Sequence, residues 1–452
     1  MSNSTTSMSE TTTSAETPRH TAKPRELARA IVSGWAGTSL EYFDFQLYGL
    51  AAALVLPSLF FPNLNPALGL LFSFATYAVG FLARPLGAVF FGRLGDKRGR
   101  KFVLVVTVAL MGLSTFGIGL LPTYQQVGVL APVLLIALRL VQGFGAGAEL
   151  AGASVLLTEY APPHRRGLVA SFVAIGTNTG TLVASGVWML LASGSADWLL
   201  DWGWRIPFLL SIFVAVFALF IRRYLNETPV FETVAEEVSA EERTPLGDAW
   251  RYGRKPFFAA MGLRIAENAP SSIYQSFLLG YIATVMMMDR VIGTRAVFIA
   301  SIIGFVTVPL AGWLSDMYGR RIIYRTISIF QFLWTIPAML LLNTREPTLI
   351  MLALIVGISV GVLGLYSIQG AFMPELFGSR YRYTGLAVSK EIGSLLSGGT
   401  APMVVSGLLA LFSNSWIPIA AYLMVATAIG VIATFVTPET AGRDLAEPRD
   451  AL

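Results

Sequence analysis

The stretch GRLGDKRGRK (Gly92–Lys101) places six charged residues in ten positions of a chain that is only 13% charged. Apolar runs flank it on both sides. A second version, GWLSDMYGRR (Gly312–Arg321), also lies between apolar runs. Gly92, Leu94, Asp96, Gly99 and Arg100 recur 220 positions later as Gly312, Leu314, Asp316, Gly319 and Arg320. An echo at that spacing in 452 residues implies two related halves.

The composition says what surrounds these decapeptides. Hydrophobic residues make up 54% of the chain, with 43 glycines and a mean hydropathy of +0.65. A soluble domain carries about 25% charge; low charge with abundant Gly suits packed transmembrane helices. With no cysteine, disulfides, thiolate metal sites and Cys nucleophiles are excluded. The two histidines, His20 and His164, fall in a polar tail and a basic loop and offer no zinc site.

Spans of about 20 apolar residues are expected near 31–56, 67–91, 102–121, 128–158, 168–193 and 204–222. A second set follows near 257–288, 294–313, 322–342, 347–372, 385–411 and 415–437. The expected fold is thus all-α and integral to a membrane: twelve transmembrane helices in two six-helix halves. Residues 1–29 read as a disordered tail and 30–222 as the first half. Residues 223–256 read as a linker with one or two surface helices, 257–437 as the second half and 438–452 as a tail. Of 32 Lys and Arg, 24 fall in the tails, the linker and the loops on one side; four (Arg205, Arg290, Arg295, Arg345) fall on the other. That asymmetry predicts cytoplasmic termini in a plasma (inner) membrane. It also accounts for the net charge of +5 without nucleic acid.

The decapeptides resemble the loop signature of the major facilitator superfamily. Further stretches resemble its metabolite:proton symporter branch: LEYFDFQLYG (Leu40–Gly49), RPLGAVFFG (Arg84–Gly92), RLVQGFGAGAE (Arg139–Glu149), GWRIPF (Gly203–Phe208), ETPVFE (Glu227–Glu232) and RYRYTGLA (Arg380–Ala387). Arg264 and Glu267 look most like the shikimate-transporter group. The resemblance implies a proton-coupled carrier that imports a small organic acid, such as shikimate or a related hydroxy or keto carboxylate. Inverted three-helix repeats within each half, and rocking of the halves about a midplane cavity, are implied with it.

Charges inside a span each need a partner, a wet cavity or an interface. Arg84, close to the basic end of span 2, reads as structural, with its head reaching the interface. Glu41, Asp44 and Tyr48 share one helical face of span 1. In span 4, Arg139, Gln142 and Glu149 form a polar stripe, with Arg139 and Glu149 about 15 Å apart. Arg139 is expected to face a span-1 carboxylate, so Asp44, Glu41, Arg139 and Glu149 are the proton-coupling candidates; the family resemblance also suggests such a pair. Span 7 carries Arg264, Glu267, Asn268, Ser271, Tyr274 and Gln275 in one stripe, and Lys390 and Glu391 open span 11. Guanidinium matches carboxylate bidentately, which makes Arg139 and Arg264 the candidates to hold an acid. Glu267, Gln142, Tyr48, Tyr274, Gln275, Tyr366, Gln369, Lys390 and Glu391 complete the candidate site.

The signature loops read as a gate. Asp96 is expected on the positive N-terminus of a helix in the opposite half, span 11, with Gly92 at the loop's start. Arg93 and Arg100 are expected against Glu159, near Arg166. Asp316, Arg320, Glu375 and Arg382 occupy the matching positions of the second half. Gly143–Ala148 fits a loose dinucleotide pattern but sits inside an apolar span, and reads as a small-residue packing face. With no G-x-x-x-x-G-K-[ST] loop, ATP is not expected as an energy source. No cofactor, metal or enzymatic activity is expected; substrate, protons and lipid are the partners, and the chain is expected to work as a monomer. The alternatives are a betaine/proline-type zwitterion symporter, a drug:proton antiporter and a non-transporting membrane sensor.

Overall fold

A computed structural model describes residues 24–98, 100–147, 152–224, 253–379, 382–445, 447 and 449–452. Among them the backbone is almost wholly helical and contains no strand. Lipid cannot satisfy exposed backbone N–H and C=O groups, so apolar segments of this length close their hydrogen bonds along a helix. The spanning helices of the first half are α1 (Pro24–Leu54), α2 (Pro66–Arg98), α3 (Arg100–Leu120), α4 (Leu130–Ala146, resuming as Gly152–Tyr160), α5 (Arg166–Ala192) and α6 (Arg205–Tyr224). Those of the second are α7 (Arg254–Ser272, continued to Val285), α8 (Arg290–Tyr318), α9 (Arg320–Asn343), α10 (Pro347–Leu376), α11 (Arg382–Leu411) and α12 (Ile417–Val436). These are the twelve expected helices. The expected tail up to residue 23 and the segment 225–252, where surface helices are expected, lie outside the described residues.

Small residues set the closest helix approaches. A Cβ on Gly143 of α4 would lie 1.9 Å from the carbonyl oxygen of Gly80 on α2. The Gly143–Ala148 run therefore packs backbone against backbone along its described part. The signature glycine Gly319 has φ +98°, a left-handed conformation that favours Gly, and it makes the tight turn from α8 into α9. Prolines 85, 270, 309, 337 and 374 stand inside helices, where neighbouring helices absorb the lost backbone bond.

The halves meet along α5 with α8 and α10, and along α2 with α11. Between those seams α1 faces α7: Gln46 Nε2 donates to the carbonyl oxygen of Gln275 at 3.2 Å. The loops α2–α3, α4–α5, α8–α9 and α10–α11 share one end of the bundle, termed here the basic face. Charged side chains from both halves converge midway between the two ends.

Candidate functional site

A cavity of about 110 Å³ lies between the halves, lined by residues of α1, α2, α4, α5, α7, α10 and α11. That is several times the roughly 10–15 Å³ that admits one water. Its charged residues are Glu41, Arg84, Arg264, Glu267, Lys390 and Glu391. Three are cationic and three anionic, so the site is neutral in its fully ionised form. Arg264 Nη1 meets Glu267 Oε2 at 2.6 Å, and Arg264 Nε donates to Ser394 Oγ at 2.9 Å. Glu267 stands three residues after Arg264, so both occupy one side of α7.

Arg84 departs from its expected role. The span was expected to end near residue 91, but α2 runs on to Arg98. Fourteen residues of helix, about 20 Å, therefore separate Arg84 from the basic end, and the side chain faces inward. Arg84 Nε meets Glu391 Oε2 at 2.9 Å, and Nη2 donates to Glu391 Oε1 at 3.1 Å and to Glu41 Oε1 at 3.5 Å. Its guanidinium carbon also lies 4.9 Å from the Phe45 ring centroid and 5.6 Å from that of Phe81. Lys390 brings its chain to the same cavity and makes no ion pair among the described residues.

Asp44 and Arg139 are bridged by a side chain of α4. Gln142 stands between them: its Nε2 donates to Asp44 Oδ2 at 2.5 Å, and its Oε1 accepts from Arg139 Nη1. Thr115 Oγ1 also donates to Asp44. Arg139 also donates to the carbonyl oxygens of Thr76 and Tyr77, and its guanidinium carbon lies 3.8 Å from the Tyr48 ring centroid. Arg139 and the span-1 carboxylate Asp44 are thus linked through Gln142, which, three residues on, occupies the same helical side as Arg139. Arg139, Gln142 and Tyr48 form a buried layer inside the first half and do not line the cavity.

Tyr274 is displaced for a different reason. A π-helical turn at Ile273–Phe277 widens α7, and a wider turn advances the helical phase. Gln275 and Ser276 face the cavity beside Asn268, Ser271 and Ser272. Tyr274 instead packs its ring against Gly357 of α10. Gln369 backs the site: its Nε2 donates to the Leu263 carbonyl and the Tyr324 hydroxyl, and its Oε1 accepts from Arg264 at 3.5 Å. Two residues not singled out from the sequence also line the cavity. Thr177 Oγ1 donates to the Tyr366 hydroxyl at 3.2 Å, and the Tyr366 hydroxyl donates to Tyr42 at 3.1 Å. Tyr42 stands beside Glu41 in a helix rich in aromatic residues, and nothing local marks it out.

The basic face is closed by contacts between the halves. Asp316 accepts from the backbone N–H groups of Gly167 and Leu168, each at 2.8 Å, at the N-terminus of α5. Arg320 Nη1 holds the same carboxylate at 2.6 Å, and its Nε approaches Glu375 at 3.3 Å. Arg382 Nη1 meets Glu159 Oε1 at 2.6 Å across the halves. Glu159 is expected against Arg93 and Arg100, whose side chains lie outside the described residues; the opposite half supplies it a cation in Arg382. Residues 439–445 join this face. Glu439 accepts from the N–H groups of Arg320 and Arg321, the Arg443 carbonyl accepts from Arg166, and the Leu445 carbonyl accepts from Arg382. The side chains of Arg93, Asp96 and Arg100, and all of Glu149, lie outside the described residues.

Two six-helix halves that enclose a charged cavity, joined at one face by the contact of Asp316 with the N-terminus of α5, define a secondary transporter. A model of the Major Facilitator Superfamily matches residues 34–402, and the chain belongs to that family as a multi-pass membrane protein. Three proteins of Escherichia coli (strain K12) are similar along nearly their whole length. YdfJ is 44% identical over 90% of this chain and 96% of its own. The shikimate transporter is 35% identical, covering 88% and 91%, and the proline/betaine transporter is 35% identical, covering 93% and 85%. Among solved structures, the proton:xylose symporter XylE superposes with a TM-score of 0.69 at 18% identity, over 93% of this chain and 98% of that one; at that identity it supports the fold alone.

Proposed function

We propose that the chain is a proton-coupled symporter that imports a small organic acid, such as shikimate or a related hydroxy or keto carboxylate. The observation that carries this reading is the charge balance of the cavity. Arg84 and Arg264 are matched by carboxylates, whereas Lys390 meets none in an ion pair among the described residues. A substrate carboxylate there gains an ammonium partner, with Arg264 close enough to share it. Gln275, Asn268, Ser271 and the Tyr42–Tyr366–Thr177 hydroxyl chain offer partners for substrate hydroxyls.

Adding one anion to a neutral buried site leaves an uncompensated charge, which the low-dielectric interior penalises strongly. One proton entering with the acid restores neutrality, and this supports symport. A quaternary ammonium is less well served. The Phe45, Phe81 and Tyr366 rings already face Arg84 or Arg264, so they form no open aromatic cage. The basic face is then cytoplasmic, the membrane the plasma (inner) membrane, and each chain contains a complete pathway. Residues 30–222 rock against 257–437, with Asp316, Arg320, Glu375, Arg382, Glu159 and Arg166 forming the cytoplasmic gate.

Counterflow in proteoliposomes with shikimate, other hydroxy and keto acids, proline and glycine betaine tests the reading. Uptake of an acid, raised by an external pH below the internal pH, is expected. Transport of betaine or proline with no acid moving, or acid uptake indifferent to the pH gradient, refutes it.

A further inference from the structure

We propose that Glu391 carries the coupled proton and that Arg84 is the lock it controls. The inference rests on the proton-coupled acid reading and names the residue through which coupling runs. Arg84 belongs to the first half and Glu391 to the second, and they meet through Nε–Oε2 at 2.9 Å and Nη2–Oε1 at 3.1 Å. This pair ties the halves together at the cavity wall, where α2 packs on α11. The cavity pair Arg264–Glu267 lies within one helix and is indifferent to the separation of the halves.

Glu41 makes the lock reversible. It sits in the same half as Arg84 and shares Nη2 at 3.5 Å. When a proton from solution adds to a Glu391 carboxylate oxygen, an O–H bond forms and that side chain becomes neutral. Arg84 then keeps Glu41 as its counter-charge inside its own half, so the inter-half bond is released without stranding a guanidinium. The cavity gains one positive charge, and Lys390, next to Glu391 in sequence, presents it to the incoming carboxylate. After the halves rock, the proton leaves Glu391 for the other solution and Arg84 closes again. The charged and titratable groups that line the cavity with Glu391 are Arg84 and Tyr77 on α2, Glu41 and Tyr42 on α1, Arg264 and Glu267 on α7, Tyr366 on α10 and Lys390 on its own helix. Among the described ion pairs, only the one with Arg84 both lies in the cavity and crosses between the halves.

Because the chain has no cysteine, spin labels can be placed at Leu64→Cys and Thr344→Cys, exposed positions on opposite halves at the end away from the basic face. Pulsed-EPR distances are read across pH in lipid, without substrate. The otherwise unsubstituted protein is expected to change its distance distribution with pH. Glu391→Gln is expected to show the acid-side distribution at every pH, and Glu391→Asp to restore the response. A Glu391→Gln protein that keeps the full pH response, or an unsubstituted protein that shows none, overturns the proposal. If Glu391→Gln does not fold, Glu391→Asp decides: its pH midpoint must move from that of the parent, and an unmoved midpoint counts against Glu391. In proteoliposomes, one pH unit supports about tenfold accumulation at one proton per substrate; with Glu391→Gln the shikimate ratio is expected to fall to about one. Accumulation kept by that variant also overturns the proposal. If shikimate does not move even in the parent, the acid reading fails while the label distances still judge Glu391.

Discussion

Replacing Asp316 by Asn perturbs the gate at a single charged group and leaves the shape nearly unchanged. The carboxylate accepts two 2.8 Å bonds from the Gly167 and Leu168 N–H groups, and a third at 2.6 Å from Arg320. An amide has one oxygen for these donors, and its NH₂ must face a remaining N–H or the guanidinium. Hydrogen bonds to a charged group contribute about 1.5–3 kcal/mol each. A negative charge at a helix N-terminus adds about 0.3–1 kcal/mol. Losing one such bond and the charge therefore destabilises the state closed at the basic face by about 2–4 kcal/mol. That is a shift of about 30- to 1,000-fold in its population relative to the open state. Labels at His164→Cys and Tyr318→Cys, both exposed and on opposite halves, read the separation of the halves there. The long-distance population is expected to grow in Asp316→Asn and turnover to fall, with substrate affinity largely retained because the cavity is untouched. An unchanged distance distribution, or lost binding with normal exchange, refutes the reasoning.

Lys390→Met is expected to abolish acid uptake in counterflow while Lys390→Arg retains part of it; equal uptake by both would remove the ammonium from the site. Gly143→Ala places a methyl within 1.9 Å of the Gly80 oxygen, so α2 and α4 must separate. Overpacking of this kind costs about 1–3 kcal/mol, and a lower thermal midpoint in detergent is expected. Glu439→Ala removes the acceptor for the Arg320 and Arg321 N–H groups at the start of α9. A cap loss of about 0.5–2 kcal/mol is expected to loosen the basic face, read as faster proteolysis of the segment after α12. In a double-mutant cycle, Arg382→Gln and Glu159→Gln are expected to be non-additive in the His164/Tyr318 label distance, since the pair joins the halves; strict additivity would argue that the contact does not act in closure.

Much of the architecture is legible in the chain because lipid imposes local rules. An apolar segment of about 20 residues must be helical and must span. The echo of Gly92–Lys101 in Gly312–Arg321 therefore marks two halves before any contact is known. Basic loops on one side, small residues in Gly143–Ala148 and the charged set Asp316, Arg320, Glu375, Arg382 and Glu159 at the basic face follow from composition and from signature resemblance.

Which charge meets which is a different matter, because it depends on helix phase, length and tilt between segments distant in sequence. At the π-helical turn Ile273–Phe277, Tyr274 leaves the cavity stripe while Gln275 stays in it. Gln142 interposes its amide between Asp44 and Arg139. Residues 439–445, which read as part of a plain tail, supply acceptors to Arg166, Arg320 and Arg382. Arg84 reads as an interfacial arginine until α2 is seen to continue past the expected span, which turns its guanidinium onto Glu41 and Glu391. The sequence by itself determined the helices, the halves and the charged face, since each is set by a segment's own exchange of water for lipid. Only the tertiary structure decided the partners of the buried charges. Those energies arise between helices some 300 residues apart, as Arg84 and Glu391 are, and no single segment carries the geometry that brings them together.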